Sequence, residues 1–258
     1  MNEQSVTSVY DRLIRFESRR HGSPYPIHKR LSLPDATDVY ALIAQGLELK
    51  PGSNILDAGC GTGYGSRILA TATGCHTHGI SVSADEVEFA RKHAAQREVA
   101  KQLSFSETSF DCVAEAQYDL VVAVESVKHS PRLPDTISTL LAALRPGGRL
   151  IIVDDVLTGR PDGTMLQRLQ AAWALTRVYS EADFTPPIAA TAPHILDLTP
   201  HVRARGGAAL WLRRQALKAA RRLRPGKHDV FEIFQAGLDL EMLYRQRFMR
   251  YLMMSWHK

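Results

Sequence analysis

Between Ile55 and Gly65 the chain reads Ile-Leu-Asp-Ala-Gly-Cys-Gly-Thr-Gly-Tyr-Gly. A short apolar run ends in Asp57 and breaks into glycines at 59, 61 and 63, just before a helical pattern begins. Lacking a Cβ, such a turn lets the main chain approach a ligand closely. The following helix adds unpaired N–H donors and the positive end of its dipole at the same point. Asp57, Gly59, Cys60, Gly61 and Gly63 are therefore candidate cofactor contacts. Their spacing, G-x-G-x-G, differs from the dinucleotide fingerprint G-x-G-x-x-G, and no hydride-transfer dyad accompanies it. A nicotinamide oxidoreductase is thus disfavoured.

A second group of reactive side chains follows the continuous apolar run Tyr118–Val124, in Glu125-Ser-Val-Lys-His129. Histidine titrates near neutrality, which suits removing a proton from a hydroxyl nucleophile.

These segments, together with His78-Gly-Ile-Ser-Val-Ser83 and Leu144-Arg-Pro-Gly-Gly-Arg-Leu150, resemble the class I S-adenosylmethionine-dependent methyltransferases. The resemblance covers roughly residues 38–156 and loosely the remainder. It implies an α/β, Rossmann-like, doubly wound and mostly parallel sheet. It also implies S-adenosyl-L-methionine as cofactor, S-adenosyl-L-homocysteine as product, and a glycine loop that holds the methionyl part. Most members end the second strand in an acid that accepts from the ribose hydroxyls, and here Ser81 stands there. The Gly-Ile-Ser-Val-Ser form is similar to a subgroup of sterol, tocopherol and prenyl-diphosphate C-methyltransferases, and to sugar and natural-product O-methyltransferases. Ser81, Val82 and Ser83 are read either as contacts to the ribose and amino-acid ends or as N-caps of the next helix. Ser109 and Phe110 fall where the family meets adenine, with Phe110 able to stack on the ring. Asp111 is either an adenine ligand or a solvated loop acid.

Methyl transfer is an in-line displacement at an already activated sulfonium carbon, so the protein mainly positions the nucleophile and removes its proton. Related O-methyltransferases pair a histidine with an acid at the end of the fifth strand, which makes His129 the expected base and Asp154 its orienter. Lys128 stands where some relatives carry the first of two histidines. Glu125 is expected to touch cofactor or take part in catalysis. Tyr25 and His28 stand where relatives place an aromatic and a histidine over the cofactor, and are expected against substrate. The expected reaction is methylation of a natural-product hydroxyl, a step of secondary metabolism. The alternative is C-methylation of an isoprenoid or other carbon nucleophile, which needs aromatic rings and a carboxylate such as Glu125 around positive charge. A binding protein that keeps the fold without catalysis is the reading from another class.

The elements that must position these residues follow from periodicity. Strands are predicted at Asn54–Ala58, Thr77–Ile80, Gln102–Phe105, Tyr118–Val124, Arg149–Asp154 and His194–Thr199, with a final edge strand at Phe248–Ser255. Helices are predicted at 4–20, Asp38–Leu47, Ser66–Ala72, Ala84–Arg97, Pro134–Leu144, Met165–Tyr179, Ala209–Leu223 and Leu238–Tyr244, with a turn at Arg145–Gly148. Alternation of strand and helix up to Asp155 is the signature of a parallel sheet. The expected division is an N-terminal helical lid (1–37), a cofactor-binding core (38–157), and cover helices with closing strands of the same domain (158–258).

Of the chain's 258 residues 45% are hydrophobic and 23% charged, enough for a packed core and against extensive disorder. Net charge is +5, yet nine cations and no acid fall between Val202 and Lys227, leaving the rest net acidic. The core thus lacks a nucleic-acid footprint. The basic segment is read as a helix with Leu212, Ala216, Ala219 and Leu223 on an apolar face. Its opposite, cationic face is either solvated, turned to an anionic substrate, or laid on a lipid surface. Cys60, Cys75 and Cys112 fit no metal-ligand spacing and no metal is expected; a reduced, cytoplasmic setting is the simplest reading. No run approaches a membrane span, so no stable insertion is expected. The partner is expected to be a small-molecule acceptor, with homo-oligomerisation left open.

Overall fold

A computed structural model describes residues 6–11, 14, 29, 31–35, 38–96, 98–161, 163–185, 192–203, 206–223 and 228–258. The strands are β1 (Asn54–Ala58), β2 (His76–Ser81), β3 (Leu103–Glu107), β4 (Tyr118–Val124), β5 (Leu144–Leu157), β6 (His194–Asp197) and β7 (Met249–His257). They form one sheet in the order β3-β2-β1-β4-β5-β7-β6. The pairings from β3 to β5 are parallel, while β7 runs antiparallel to both β5 and β6.

The chain winds outward from β1 through β2 to β3, then returns to the centre and winds the other way through β4 to β5. The switch point lies between β1 and β4. At such a point the connections leave in opposite directions and open a crevice at the carboxyl ends of the strands. The loops after β1 and β4, which carry the glycines and Glu125–His129, both end there.

Helices cover both faces: α1 (Val39–Gln45), α2 (Tyr64–Thr73), α3 (Ala84–Ala94), α4 (Leu133–Ala142), α5 (Gly163–Ala172), α6 (Gly207–Leu223) and α7 (His228–Arg245). Asp38 caps α1 by accepting from the Tyr40 N–H at 2.9 Å. Ser83 caps α3 by accepting from the Glu86 N–H at 3.1 Å. One apolar cluster packs Ile137, Leu140 and Phe184 with Leu144 and Trp256 on one side of the sheet. A second packs Tyr40, Ile43 and Leu69 with Ile55, Leu120 and Tyr251 on the other. Residues inward on both faces explain why β4 reads as an unbroken apolar run.

Four expectations need correction. Met249–His257 is not an edge strand: β7 lies between β5 and β6, and the half-exposed β6 forms the edge. Arg145–Gly148 does not separate a helix from a strand. Leu144 already pairs with Tyr118, and the register then jumps to Leu120 against Arg149, so these residues bulge out of β5. Helix α5 stops at Ala172, with Ala174 in the left-handed region at φ 50°, whereas α7 begins ten residues before the predicted Leu238. Finally, α6 packs with the opposite face. Leu210 is buried against the fold, whereas Leu212, Ala216 and Ala219 are exposed. On the packed side Arg214 meets the buried carboxylate of Asp239 on α7 at 2.9 Å, and Arg168 of α5 meets it at 2.7 Å. One acid therefore ties three helices together.

Candidate active site

The turn after β1 carries left-handed backbone at Gly59 and Gly63, with φ of 83° and 72°. A Cβ on Gly59 would stand 2.3 Å from the Ser126 Cβ, and one on Gly63 would stand 2.8 Å from the Phe105 ring. Close approach by the β4 loop and by β3 thus demands glycine as firmly as any ligand would. Asp57 lies beneath the turn, fully buried, accepting from Tyr40 Oη at 3.0 Å and Ser66 Oγ at 2.6 Å. It braces the loop.

Above the turn opens a narrow crevice of about 150 Å³. Of the predicted cofactor contacts, Gly59, Cys60, Gly61, Ser81, Val82, Ser83, Phe110 and Glu125 line it. Asp57, Gly63 and Ser109 are not in the lining. Ser109 instead caps the short turn Phe110–Cys112, accepting from the Asp111 N–H at 3.4 Å, and Asp111 is exposed.

Glu86, which sequence reasoning missed, stands in this crevice. It accepts a 2.5 Å hydrogen bond from Ser81 Oγ. Burial pushes its carboxyl up to about 7, although the Ser81 hydrogen bond pulls the other way. An acid from the first turn of α3 thus stands beside the serine that ends β2. The signal was the Ser83-x-x-Glu86 spacing, which marks a helix start and a side chain that reaches back. Ser83 also donates to Asp11 at 2.6 Å, and Thr7 to the Val82 carbonyl at 3.3 Å, so helical residues 6–11 lie across the crevice.

The structure does not bring His129 and Asp154 together as a hydrogen-bonded pair. His129 Nε2 lies 2.8 Å from Tyr10 Oη, and its buried Nδ1 has no hydrogen-bond partner among the described residues. Burial, reinforced by the Lys128 ammonium, lowers its pKa to about 3 and keeps the ring neutral. Asp154 accepts instead from the Lys128 N–H at 3.1 Å and the Asp155 N–H at 2.9 Å. Lys128 intervenes because its side chain turns into the acids: its Nζ lies 2.9 Å from Asp155, 3.4 Å from Asp154 and 3.6 Å from Glu125.

Lys29 completes this cluster, with its ammonium 2.6 Å from Asp155 and 3.6 Å from Glu125, over the Tyr251 ring at 4.9 Å. Glu125 has a positive φ of 50°. Its Oε1 accepts from the Lys29 N–H at 2.7 Å and from Tyr251 Oη at 3.0 Å. Burial alone would raise the Glu125 and Asp155 pKa values, but Lys29 and Lys128 outweigh it and hold both carboxylates ionised. Tyr244 Oη donates to Asp155 as well. Burial pushes Asp154 up to about 6 against the pull of Lys128.

Beyond the cluster lies a larger cavity of about 520 Å³ whose walls include Leu169, Trp173, Tyr179, Leu240, Tyr244 and Met249. Among the described residues, Glu125 and Lys128 alone line both spaces. Tyr25 and His28 lie outside the described residues. No group of three or more His, Cys, Asp or Glu among the described residues is arranged to hold a metal ion, and no described helix is long and apolar enough to cross a membrane.

This sheet order, with its glycine turn at the switch point, is the fold of the class I S-adenosylmethionine-dependent methyltransferases. The chain belongs to the methyltransferase-domain family, which matches residues 49–200. It is 31% identical over 160 residues to the O-methyltransferase rstn1 of Aspergillus nomiae, covering 61% of this chain and 71% of that one. It is 29% identical over 127 residues to the sterol 24-C-methyltransferase ERG6A of Gibberella zeae, covering 48% and 33%. A geranyl diphosphate methyltransferase in complex with GPP and sinefungin superposes with a TM-score of 0.72 at 18% identity, covering 98% and 97%. The matched part spans less than half the length of several curated relatives.

Proposed function

We propose that this chain moves the methyl group of S-adenosyl-L-methionine onto a carbon of a small, largely apolar acceptor. The observation that carries the reading is the meeting of two cavities at Glu125 and Lys128, the residues that line both among those described. The crevice suits the cofactor: a buried carboxyl at Glu86 for ribose hydroxyls, a ring at Phe110 for the base, and bare main chain at Gly59–Gly61 for the methionyl end. When bound, it supplies a methyl group activated on a sulfonium.

The acceptor side favours carbon over oxygen. Trp173, Tyr179 and Tyr244 line a cavity that also holds the Glu125 and Asp155 carboxylates, and cations already lie over two of these rings, Arg177 over Tyr179 at 4.9 Å and Lys29 over Tyr244 at 5.4 Å. Such an arrangement stabilises positive charge developing on a carbon skeleton. Among the described residues Glu125 Oε2 holds only the 3.6 Å ion pair with Lys128, which makes it the oxygen to take the proton that the acceptor releases. His129 lines the crevice and does not line the larger cavity.

A second reading, methylation of a hydroxyl, draws on the neutral His129 ring, whose buried Nδ1 has no hydrogen-bond partner among the described residues. The test begins with calorimetric binding of S-adenosylmethionine. Turnover with methyl-¹³C cofactor and a panel of isoprenoid alkenes, phenols and alcohols then follows, with carbon NMR of the products. A new carbon-bound methyl is expected. A methyl found only on oxygen overturns the first reading in favour of the second, and tight binding without turnover on any acceptor leaves a binding protein.

A further inference from the structure

Helix α6 packs through one apolar side and keeps a second apolar stripe outward, which a helix that merely covers a core does not need. Its packed side buries Leu210 and ties Arg214 to Asp239. Its outward side presents Leu212, 61% exposed, in line with Ala216 and Ala219, and Trp211, 59% exposed, beside them. A surface helix ordinarily turns its apolar stripe to the core and its charges to water. Here Arg213, Lys218 and Arg222 are exposed too, flanking the stripe on both sides. No acid occurs anywhere from Val202 to Lys227 to neutralise them. Two large apolar side chains framed by cations with no acid on their own helix mark an interaction surface.

Charge decides among occupants. A second copy of the same face would set cations against cations, which is unfavourable. A nucleic acid would satisfy the cations but leave the Leu212 stripe uncovered. A lipid surface with anionic headgroups satisfies both, because cations meet the headgroups while Trp and Leu enter the boundary with the acyl chains. We propose that the outward face of α6 docks this protein on an anionic membrane surface, the helix lying in the plane and Trp211 and Leu212 entering the interface. No residue of α6 lines either cavity, so docking stands independently of the methyl-transfer reading.

The test uses the full chain with sedimenting vesicles of phosphatidylcholine alone and of phosphatidylcholine mixed with phosphatidylglycerol. Binding to the anionic vesicles is expected to be about tenfold or more stronger, and to fall steeply in about 0.5 M salt. Trp211→Ala with Leu212→Gln is expected to lose most of it, as is the triple replacement of Arg213, Lys218 and Arg222 by Gln. Calorimetric cofactor binding, which these positions do not touch, is the check that the variants remain folded. Equal binding to both vesicle types, absence of binding, or undiminished binding by the Trp211 and Leu212 variant overturns the proposal. So does a salt-sensitive complex with a duplex oligonucleotide that survives that variant, or a dimer in sedimentation velocity that the variant abolishes.

Discussion

The two cavities are built in different ways. The crevice read as the cofactor's draws mainly on consecutive loops after β1, β2, β3 and β4, with Val6, Thr7, Tyr10 and Tyr40 added from N-terminal helical segments. The acceptor cavity is assembled from Lys29, Asp155, Trp173, Tyr179, Arg203, Tyr244 and Met249, which are scattered through the chain. A space made from strand ends is fixed by the sheet, while a space made from remote helices is free to take other shapes around the same sheet. Fold and cofactor are thus specified locally, and acceptor choice by long-range packing.

That contrast can be broken or sharpened by substitution. The largest effect is expected from Gly59→Val, whose side chain would collide with Ser126 and strain a left-handed residue. Cofactor affinity measured by calorimetry should fall at least about a hundredfold; unchanged affinity would place the cofactor elsewhere. Next comes Glu125→Gln, expected to lower kcat by about 10²–10⁴-fold while cofactor affinity moves only a few-fold. Equal losses in both would return Glu125 to the cofactor side alone.

Lys128→Met leaves Asp154 and Asp155 facing each other with less compensation. A stability loss of about 3–5 kcal/mol is expected by denaturant unfolding, as for other broken buried ion pairs. If Lys128 were a surface cation the change would be small. His129→Gln is expected to cost no more than about tenfold in kcat under the carbon reading; a loss as large as that of Glu125→Gln would favour the hydroxyl reading.

The smallest effect concerns pH. The Glu86 pKa is raised in the fold, so the stability linked to its neutral form is present below the ordinary glutamate range and is lost as pH rises through about 7. Ribose hydroxyls donate to the ionised form, so cofactor affinity should rise over the same interval. Glu86→Gln should flatten that profile, and a wild-type profile without a step near 7 would remove Glu86 from the ribose.

Much of the fold was legible. Strands β1 and β4 fall on the predicted residues because apolar runs bounded by a turn have few other uses. The glycine turn was legible for the same reason. Glu86 escaped because an acid in a first helical turn has an ordinary explanation as a partner of the dipole. Sequence order says nothing of side-chain direction, so it could not show that His129 meets Tyr10 while Lys128 reaches Asp154 and Asp155. The inverted packing of α6 was illegible in principle. Its longer apolar stripe promised a core contact, whereas Asp239, distant in sequence, draws Arg214 to the opposite side.

Asp239 has one more consequence. Because its carboxylate grips Arg214 from the outer helix and Arg168 from α5, that outer helix is geared to α5, whose Leu169 forms part of the acceptor wall. The helix that exposes Trp211 is thus tied through two ion pairs to the helix that carries Leu169. Three side chains, Arg214, Asp239 and Arg168, thus span the distance from the exposed helix to a wall of the larger cavity.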